Sequence, residues 1–243
     1  AFYQTLPDFL PIYRSLGLKK LKIGDAASVD LTNFTLDGRA RKRLRSRIRQ
    51  LENEGVRMKY YSAPVPDALL KQLREVSDEW LRLPGRSERE FSLGRFDPAY
   101  LRSTPVATAE DAVGRALAFV NVVPSCRPGE ATIDLMRHRV DAPNGVMDFL
   151  FVKLFIRDRD EGYTRFNFGL APMSGFRERE EASAMERAVH QFFQRLTFLF
   201  SFGGLKAYKA KFASHWEPRY VIYRHALDLP RLGVALSKVS KLK

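Results

Sequence analysis

The segment from Gly203 to Tyr220 places cations, aromatic rings and glycines close together in the chain. Its members are Lys206, Tyr208, Lys209, Lys211 and Phe212, followed by Trp216, Glu217, Arg219 and Tyr220. Lysines beside aromatic rings suit an anionic, partly aromatic ligand, such as a nucleic acid end or a lipid phosphate. The same spacing is also typical of a short amphipathic helix whose lysines are solvated.

A second group of chemically competent residues falls where a strand is expected to lead into a helix. Asp134 and Arg137 lie three residues apart, and Asp148 is expected one turn into the following helix. A carboxylate there can orient or deprotonate a hydroxyl, while a guanidinium can bind phosphate or stabilise an oxyanion. The alternative is a structural ion pair between Asp134 and Arg137.

A third signal is a run of seven cations expected on one helix. Seven like charges in about three turns repel one another, which favours a polyanionic partner over a simple solvated face. Either an RNA duplex or an anionic membrane would satisfy these charges. The seven are Arg39, Arg41, Lys42, Arg43, Arg45, Arg47 and Arg49.

No metal site or nucleophilic enzyme site is predicted. The four histidines, His138, His190, His215 and His225, lack metal-ligand spacing. Ser174 lacks the Gly-x-Ser-x-Gly pattern of a nucleophile elbow, and a turn serine is the simpler interpretation. Cys126 lies in a turn with no nearby histidine, so an inert thiol is expected.

No cofactor is predicted either. Acetyltransferases bind coenzyme A through a glycine-rich loop whose N–H groups converge on pyrophosphate. Here the corresponding segment, residues 137–145, contains Asp141 and Pro143, which add a negative charge and remove an N–H group. Coenzyme A binding is therefore disfavoured.

Composition bounds the class of protein. The chain has 243 residues, of which 45% are apolar, and a formal net charge of +13. That charge predicts attraction to nucleic acid, to an anionic membrane surface, or to both. One cysteine excludes an intramolecular disulfide framework and fits a reducing compartment. No uncharged apolar run is long enough to span a bilayer.

Periodicity and turn residues predict an α/β fold. A helix starting at Thr35 or Asp37 should run to about Glu54, with Gly55 left-handed after it. The prolines of Ala63-Pro64-Val65-Pro66 suggest a linker. The other predicted helices are a short one between Leu6 and the first strand, two at about 67–81 and 145–161, and a stretch ending near 200. The predicted strands cover 18–23, 56–61, 106–109, 116–123, 132–136, 165–170 and 220–223. This order is that of N-acetyltransferase-type (GNAT-like) folds, which by itself establishes no function.

Four stretches together resemble one family. They are Val29 to Leu36; Ser77 to Trp80 with Phe91 to Phe96; Asp134 to Arg137 with Asp141 to Leu150; and the segment ending in Trp216-Glu217-Pro218-Arg219-Tyr220. The chain is similar over nearly its whole length to the catalytic region of aminoacyl-phosphatidylglycerol synthases, the multiple peptide resistance factor family.

The resemblance implies two tandem GNAT-like domains joined to a membrane-embedded flippase. Residues 1–63 would be the C-terminal part of the first domain, and residues 64–243 the second domain, which carries the transfer site. The implied location is the cytoplasmic face of a bacterial membrane. The implied consequence is a less negative membrane that resists cationic antimicrobial peptides.

The implied reaction moves an alanyl or lysyl group from aminoacyl-tRNA to a glycerol hydroxyl of phosphatidylglycerol. By resemblance and chemistry, Asp134 is the base or orienting group, Arg137 its partner or a phosphate ligand, and Lys209 the oxyanion or phosphate contact. Glu217 would hold the amino group, and the basic helix would bind tRNA. The remaining substrate-binding candidates are Asp148, Lys206, Tyr208, Lys211 and Arg219.

Two alternatives stay open. One is a GNAT-like module that binds RNA or membrane without catalysis. The other is a peptidoglycan-type transferase, which uses aminoacyl-tRNA with an amine acceptor.

Overall fold

A computed structural model describes residues 1–88, 94–172 and 202–239. The predicted helix ending near residue 200, Ser174, His190 and the motif residues 91–93 lie outside these ranges. The chain forms two compact units, one made of Ala1–Val29 with Phe168–Lys243 and the other of Asp30–Asn167. We call them the discontinuous unit and the central unit.

The elements follow an α/β order. The strands are β1 Phe2–Thr5, β2 Lys19–Asp30, β3 Arg57–Tyr61, β4 Val106–Glu110, β5 Ala116–Val123, β6 Glu130–His138, β7 Arg165–Pro172 and β8 His215–Tyr223. The helices are α1 Leu10–Ser15, α2 Lys42–Asn53, α3 Asp67–Leu81, α4 Pro98–Arg102, α5 Val146–Asp160, α6 Phe202–Ala210 and α7 Asp228–Val239. A 3-10 turn, Pro7–Phe9, precedes α1.

The central unit is built on the antiparallel run β3-β4-β5-β6, and the first residues of β7 pair parallel to β6. Helix α3 packs on β5 and β6 because its apolar positions fall on one stripe. Leu73 and Val76 from that stripe join Phe119 and Leu135 in one core.

Helix α5 is buried differently. Its apolar residues surround the helix, so it is enclosed by the central unit instead of lying on its surface. The rings of Phe151 and Phe155 each pack edge-on against Phe166, and Phe155 also meets Phe34. This aromatic packing fixes the helix whose first turn contains Asp148.

In the discontinuous unit, β8 pairs antiparallel with both β1 and β2. Leu21 and Val221 from these strands pack with Leu229 of α7. Residue Gly24 has φ of 153° and lies directly against the Ala171 carbonyl, which leaves no room for a side chain.

Most predicted elements are present. The predicted bounds 67–81 and 116–123 match those of α3 and β5. The strands between 106 and 138 form the expected antiparallel meander. Gly55 has the predicted left-handed conformation, with φ of 87°. In α2, Ile48 and Leu51 are buried. The sequence patterns did not reveal β1, α4 or α7.

The predicted start of the basic helix was wrong. Helix α2 begins at Lys42, and its N-cap is Arg41, without a side-chain cap. The Thr35 hydroxyl instead donates to the Asp37 carboxylate at 2.8 Å, so these two residues satisfy each other in the preceding loop. The predicted domain boundary at 63 and 64 concerns the family's organisation and stays a prediction; both residues belong to the central unit.

Within the described ranges, no helix is both long and apolar enough to cross a membrane.

Candidate functional site

The Asp134 carboxylate is held by two donors in the central unit. The Gly94 N–H donates to its Oδ1 at 2.7 Å, and the Tyr100 hydroxyl donates to its Oδ2 at 2.8 Å. Burial, together with the bond to Asp134, raises the pKa of Tyr100 to about 12, so this hydroxyl remains a donor at neutral pH. A side chain at position 94 would overlap the carboxylate. The carboxylate is therefore fixed in orientation, with lone pairs left to accept a substrate hydroxyl.

A bulge in β6 sets the position of Asp134. Val122 pairs with Ile133 and Val120 with Met136, so Asp134 and Leu135 together lie opposite the single residue Asn121. The extra residue breaks the ladder, and the buried Asn121 side chain replaces the missing partner by accepting the Leu135 N–H at 2.7 Å. Bulges re-aim side chains and are common near functional sites.

Arg137 lies further along β6 and is almost fully buried. Its guanidinium makes two bonds to Glu88, at 2.8 and 2.6 Å, and also donates to the Ser77 hydroxyl. Burial raises the pKa of Glu88, but the bonds and charge of Arg137 outweigh it and hold that pKa below its usual value. The Trp80 ring lies 5.0 Å from the guanidinium carbon.

Asp134 and Arg137 therefore have separate partners, and the structural ion pair considered from their spacing is not formed between them. To bind a phosphate, Arg137 would have to break its two hydrogen bonds to the Glu88 carboxylate. Its geometry instead suits the positioning of β6 against α3 and the Glu88 segment. Asp148 lies half-buried in the first turn of α5, where a carboxylate complements the positive end of the helix dipole.

Lys209 occupies a carbonyl cage in the discontinuous unit. Its Nζ donates to the carbonyls of Phe168, Gly169 and Leu170 at 2.8, 3.1 and 2.8 Å. Successive carbonyls converge there because Gly169 has φ of 73°, which breaks the alternation of the strand. Burial lowers the pKa of Lys209 to about 7. All three ammonium donors are used, so the predicted oxyanion contact requires Lys209 to release at least one carbonyl.

The other residues of this segment also have protein contacts in the same unit. The Lys206 ammonium lies 6.0 Å from the Trp216 ring centre and that of Lys211 lies 4.8 Å from the Tyr208 ring centre. Arg219 donates to Glu217 at 2.6 Å. Helix α6 contains Lys206 to Lys209, but the alternative of a helix with solvated lysines is wrong, because Lys206 is half-buried and Lys209 is buried. Cation and aromatic groups are adjacent, as a ligand site also requires.

The seven basic residues near α2 divide into two groups. Arg45 donates to the Leu36 carbonyl, Arg47 donates to the Asn144 carbonyl at 2.5 Å, and the Arg41 guanidinium lies 5.8 Å from the Phe34 ring centre. These three hold the loops before α2 and α5. The other four are exposed and have no ion pair in the described part of the chain; they are Arg39, Lys42, Arg43 and Arg49.

Two arginines contact the loop that precedes α5. Arg47 packs directly on Gly145, where an added Cβ would lie 2.9 Å from the Arg47 Cγ. Asp141 of the preceding loop pairs with Arg115 at 2.9 Å. These contacts occupy the loop that binds pyrophosphate in coenzyme A enzymes. Among the described residues, no group of three or more His, Cys, Asp or Glu side chains has metal-site geometry.

Sequence reasoning missed Gly94, Tyr100, Asn121 and Glu88. Their contacts join residues 14 to 49 positions apart, so no local spacing reveals them. The one local signal was Gly94, which lies within the Phe91 to Phe96 motif.

Comparison with known proteins identifies relatives of this chain. The family profile described as "Phosphatidylglycerol lysyltransferase, C-terminal" matches residues 1–223. Proteins named phosphatidylglycerol lysyltransferase from Bacillus subtilis strain 168 and Staphylococcus haemolyticus are 39% and 32% identical over 223 residues, which is 92% of this chain. The chain spans about a quarter of each relative, 26% of its length.

Comparison with solved structures identifies relatives of the same kind. L-PGS from Bacillus licheniformis superposes with a TM-score of 0.86 at 36% identity, over 98% of this chain and 72% of that one. The C-terminal domain of a putative lysylphosphatidylglycerol synthetase from Agrobacterium fabrum gives 0.79 at 36% identity, over 98% and 71%. FemX gives 0.58 at 10% identity, over 93% of this chain and 72% of FemX, which shows a shared fold alone. The predicted α/β class is confirmed, and the chain belongs to the phosphatidylglycerol lysyltransferase C-terminal family.

Proposed function

We propose that this chain transfers an aminoacyl group from aminoacyl-tRNA to a glycerol hydroxyl of phosphatidylglycerol. The observation that carries the proposal is the family match across residues 1–223. The relatives are named lysyltransferases, so lysine is the first amino acid to test and alanine the second.

The reaction needs neither redox chemistry nor a metal, because the ester bond to tRNA is already activated. The lipid hydroxyl gives up its proton, assisted by a carboxylate, as its oxygen attacks the ester carbonyl carbon and forms a tetrahedral oxyanion. Collapse of this intermediate breaks the bond to the tRNA ribose oxygen, which takes up a proton. The new ester joins the amino acid to the lipid.

Asp134 is the residue that we assign to the attacking hydroxyl. Gly94 and Tyr100 fix its two oxygens, so the carboxylate does not need to reorganise when the hydroxyl binds. We assign Arg137 to positioning of β6, through Glu88 and Ser77. Lys209 remains the candidate for the oxyanion or a phosphate, with the release of a carbonyl as part of that step.

We assign binding of the tRNA to the four exposed cations at α2. Four exposed cations between Arg39 and Arg49 suit RNA phosphates, which can be bound without reading the base sequence. In the discontinuous unit, Lys206, Lys211 and Arg219 are the candidates for lipid or tRNA phosphate, and Glu217 for the amino group. The flippase partner, the location at the cytoplasmic membrane face and the effect on antimicrobial peptides remain implications of the resemblance.

The decisive experiment mixes the purified chain with labelled lysyl-tRNA, or alanyl-tRNA, and phosphatidylglycerol vesicles. Labelled lipid supports the proposal. Binding of both substrates without labelled lipid supports a non-catalytic module, and labelling of a peptidoglycan precursor alone supports the amine-acceptor class. The Asp134→Asn variant should lose labelling while it retains tRNA binding. Labelling at the wild-type rate by that variant removes Asp134 from the mechanism.

A further inference from the structure

The Trp80 ring, in the last turn of α3, lies beside two guanidinium groups. The guanidinium carbon of Arg137 lies 5.0 Å from the ring centre, and that of Arg86 lies 4.9 Å from it. Arg137 is buried, Trp80 is half-buried and Arg86 is exposed. The ring therefore joins a buried cation of the central unit to one at its surface.

The buried cation of this cluster is held in place by its own hydrogen bonds. Arg137 makes two bonds to the Glu88 carboxylate and donates to the Ser77 hydroxyl of α3. These bonds fix the group against which the Trp80 ring packs. A ring whose position is set before a ligand arrives loses little conformational freedom when the ligand binds.

The exposed cation of the cluster is not tied to a carboxylate. Within the described ranges, the Arg86 side chain makes no ion pair, and its contact is with the Trp80 ring. Its guanidinium can therefore move aside for a planar ligand, or lie over one, without breaking a stronger bond. Guanidinium groups and indole rings both stack on nucleobases.

The contacts of this cluster continue to the Asp134 carboxylate. Arg137 follows Asp134 by three residues on β6, which is at most about 10 Å along an extended strand. Glu88 pairs with Arg137 and also accepts the Phe96 N–H at 3.3 Å. Phe96 lies two residues after Gly94, whose N–H binds Asp134. One set of hydrogen bonds therefore supports both the ring and the carboxylate.

Further cations surround the segment between the ring and the carboxylate. Arg74 and Arg95 are exposed like Arg86, and the Arg74 guanidinium lies 4.0 Å from the centre of the Phe96 ring. Asp97, the acidic residue beside them, is used as the N-cap of α4. A partly exposed aromatic ring among cations is the combination that binds single-stranded nucleic acid, with a base on the ring and phosphates on the cations.

We propose that the Trp80 ring stacks on the terminal adenine of aminoacyl-tRNA. The reacting ester is on the ribose of that terminal nucleoside, so a site that presents the ester to Asp134 must also hold the attached base. Stacking reads no base edge, and every tRNA ends in the same adenosine, so the ring holds the nucleoside without selecting the amino acid. This inference deepens the proposed function, on which it rests for the identity of the ligand.

The first test uses the trinucleotide CCA with lysine joined to its terminal ribose through an amide, and the same molecule without the terminal adenine. In a Trp216→Phe background, Trp80 is the remaining tryptophan, so its fluorescence reports stacking directly. The complete probe should quench that fluorescence and bind about tenfold more tightly than the abasic probe. Equal binding of the two probes, binding of neither, or equal quenching by free AMP overturns the proposal.

The second test separates stacking from a structural role of the ring, with calorimetry as the measurement. Trp80→Leu keeps an apolar side chain but removes the ring, so it should bind both probes equally, and Trp80→Phe should restore part of the preference for the complete probe. The control Tyr163→Leu removes another partly exposed ring of the central unit and should keep the wild-type preference. If Trp80→Leu weakens binding of both probes by the same factor, the ring only supports the fold and the proposal is wrong.

The third test concerns the exposed cation beside the ring. Arg86→Gln should reduce the preference for the complete probe, because it removes the charge beside the stacked base. Arg82→Gln removes an exposed charge from the other side of α3 and should leave that preference unchanged. Equal effects of the two variants would contradict the proposal. Adenine-dependent binding at Trp80 without labelled lipid would refute only the proposed transfer, and labelled lipid without such binding would refute only the stacking.

Discussion

At the scale of single residues, the space around Asp134 is the most restrictive feature of the candidate site. Gly94 donates its N–H to one carboxylate oxygen and leaves room for the other. A methyl group there would force either the carboxylate or the backbone to move. The site thus depends on a residue that has no functional group of its own.

We therefore expect Gly94→Ala to lower kcat/KM for lipid aminoacylation by about 10- to 100-fold, since misplacement of a reacting group by about 1 Å has effects of that size. The control is Gly204→Ala, where an added methyl group meets nothing within 4 Å and helix α6 gains propensity. It should keep full activity. An unchanged kcat/KM for Gly94→Ala would mean that Asp134 tolerates displacement.

The second prediction at this scale concerns pH. Burial lowers the pKa of Lys209 to about 7, whereas an unfolded lysine has a pKa of about 10.4. Between these values the unfolded chain binds more protons, so this residue makes the free energy of unfolding rise with pH from about 7 to about 10. The contribution is lost as pH falls through 7.

The measurement is thermal or urea unfolding of wild type and Lys209→Met across that pH range. The difference in stability between the two should become more favourable to the wild type as pH rises. The exposed Lys211 provides the control, since Lys211→Met should follow the wild-type pH profile. A pH-independent difference for Lys209→Met would show that the amine keeps an ordinary pKa in its carbonyl cage.

At the scale of elements, the β6 bulge links one buried amide to the position of Asp134. Asn121 accepts the N–H of Leu135, which has no strand partner at the bulge. Asn121→Ala leaves that buried donor unsatisfied and should cost about 1–3 kcal/mol of unfolding free energy. It should also lower transfer activity, because Asp134 precedes the freed amide.

Urea unfolding and the transfer assay measure the two effects. Asn33→Ala is the control, since Asn33 is an exposed loop residue whose amide bonds Asp30. It should change stability much less. A destabilised Asn121→Ala variant with full activity would show that the bulge supports the fold without placing the carboxylate.

The basic helix yields a prediction at the same scale, because its cations divide by their surroundings. Replacement of the exposed Arg39, Arg43 and Arg49 by glutamate should weaken tRNA binding. The slope of log affinity against log salt concentration should become less steep by roughly one for each phosphate that is no longer bound. Stability should hardly change. Removal of Arg41, Arg45 and Arg47 should instead lower the Tm, because these side chains hold the loops before α2 and α5.

Filter binding at several salt concentrations and thermal unfolding separate the two triplets. Lipid binding should survive the exposed triplet better than tRNA binding does. If both triplets have the same effect on tRNA binding and on Tm, the division between exposed and loop-bonded cations has no functional meaning.

Sequence pattern anticipated the elements better than the contacts between them. The apolar stripe of α3 and the all-round apolar character of α5 are local properties, so both helices were predictable. The start of α2 was not, because Thr35 and Asp37 bond each other. The cage around Lys209 depends on carbonyls about 40 residues away, and no spacing rule predicts them.

At the scale of the whole molecule, the net charge of +13 makes membrane attraction depend on the lipid composition that the proposed reaction changes. Lysylation converts an anionic lipid into a cationic one. Each turnover therefore removes negative charge from the surface that attracts the chain. The reaction should become slower as the membrane loses its negative charge, before phosphatidylglycerol is exhausted.

Vesicles with a fixed content of phosphatidylglycerol and increasing lysylated product test this feedback. Initial transfer rates should fall as product is added, in parallel with vesicle binding, and a non-substrate anionic lipid should restore both. Phosphatidylglycerol in detergent micelles, where bilayer docking is not required, should show a weaker dependence on product. Rates that follow substrate content alone, whatever the surface charge, would show that the positive charge of this chain serves tRNA and not the membrane.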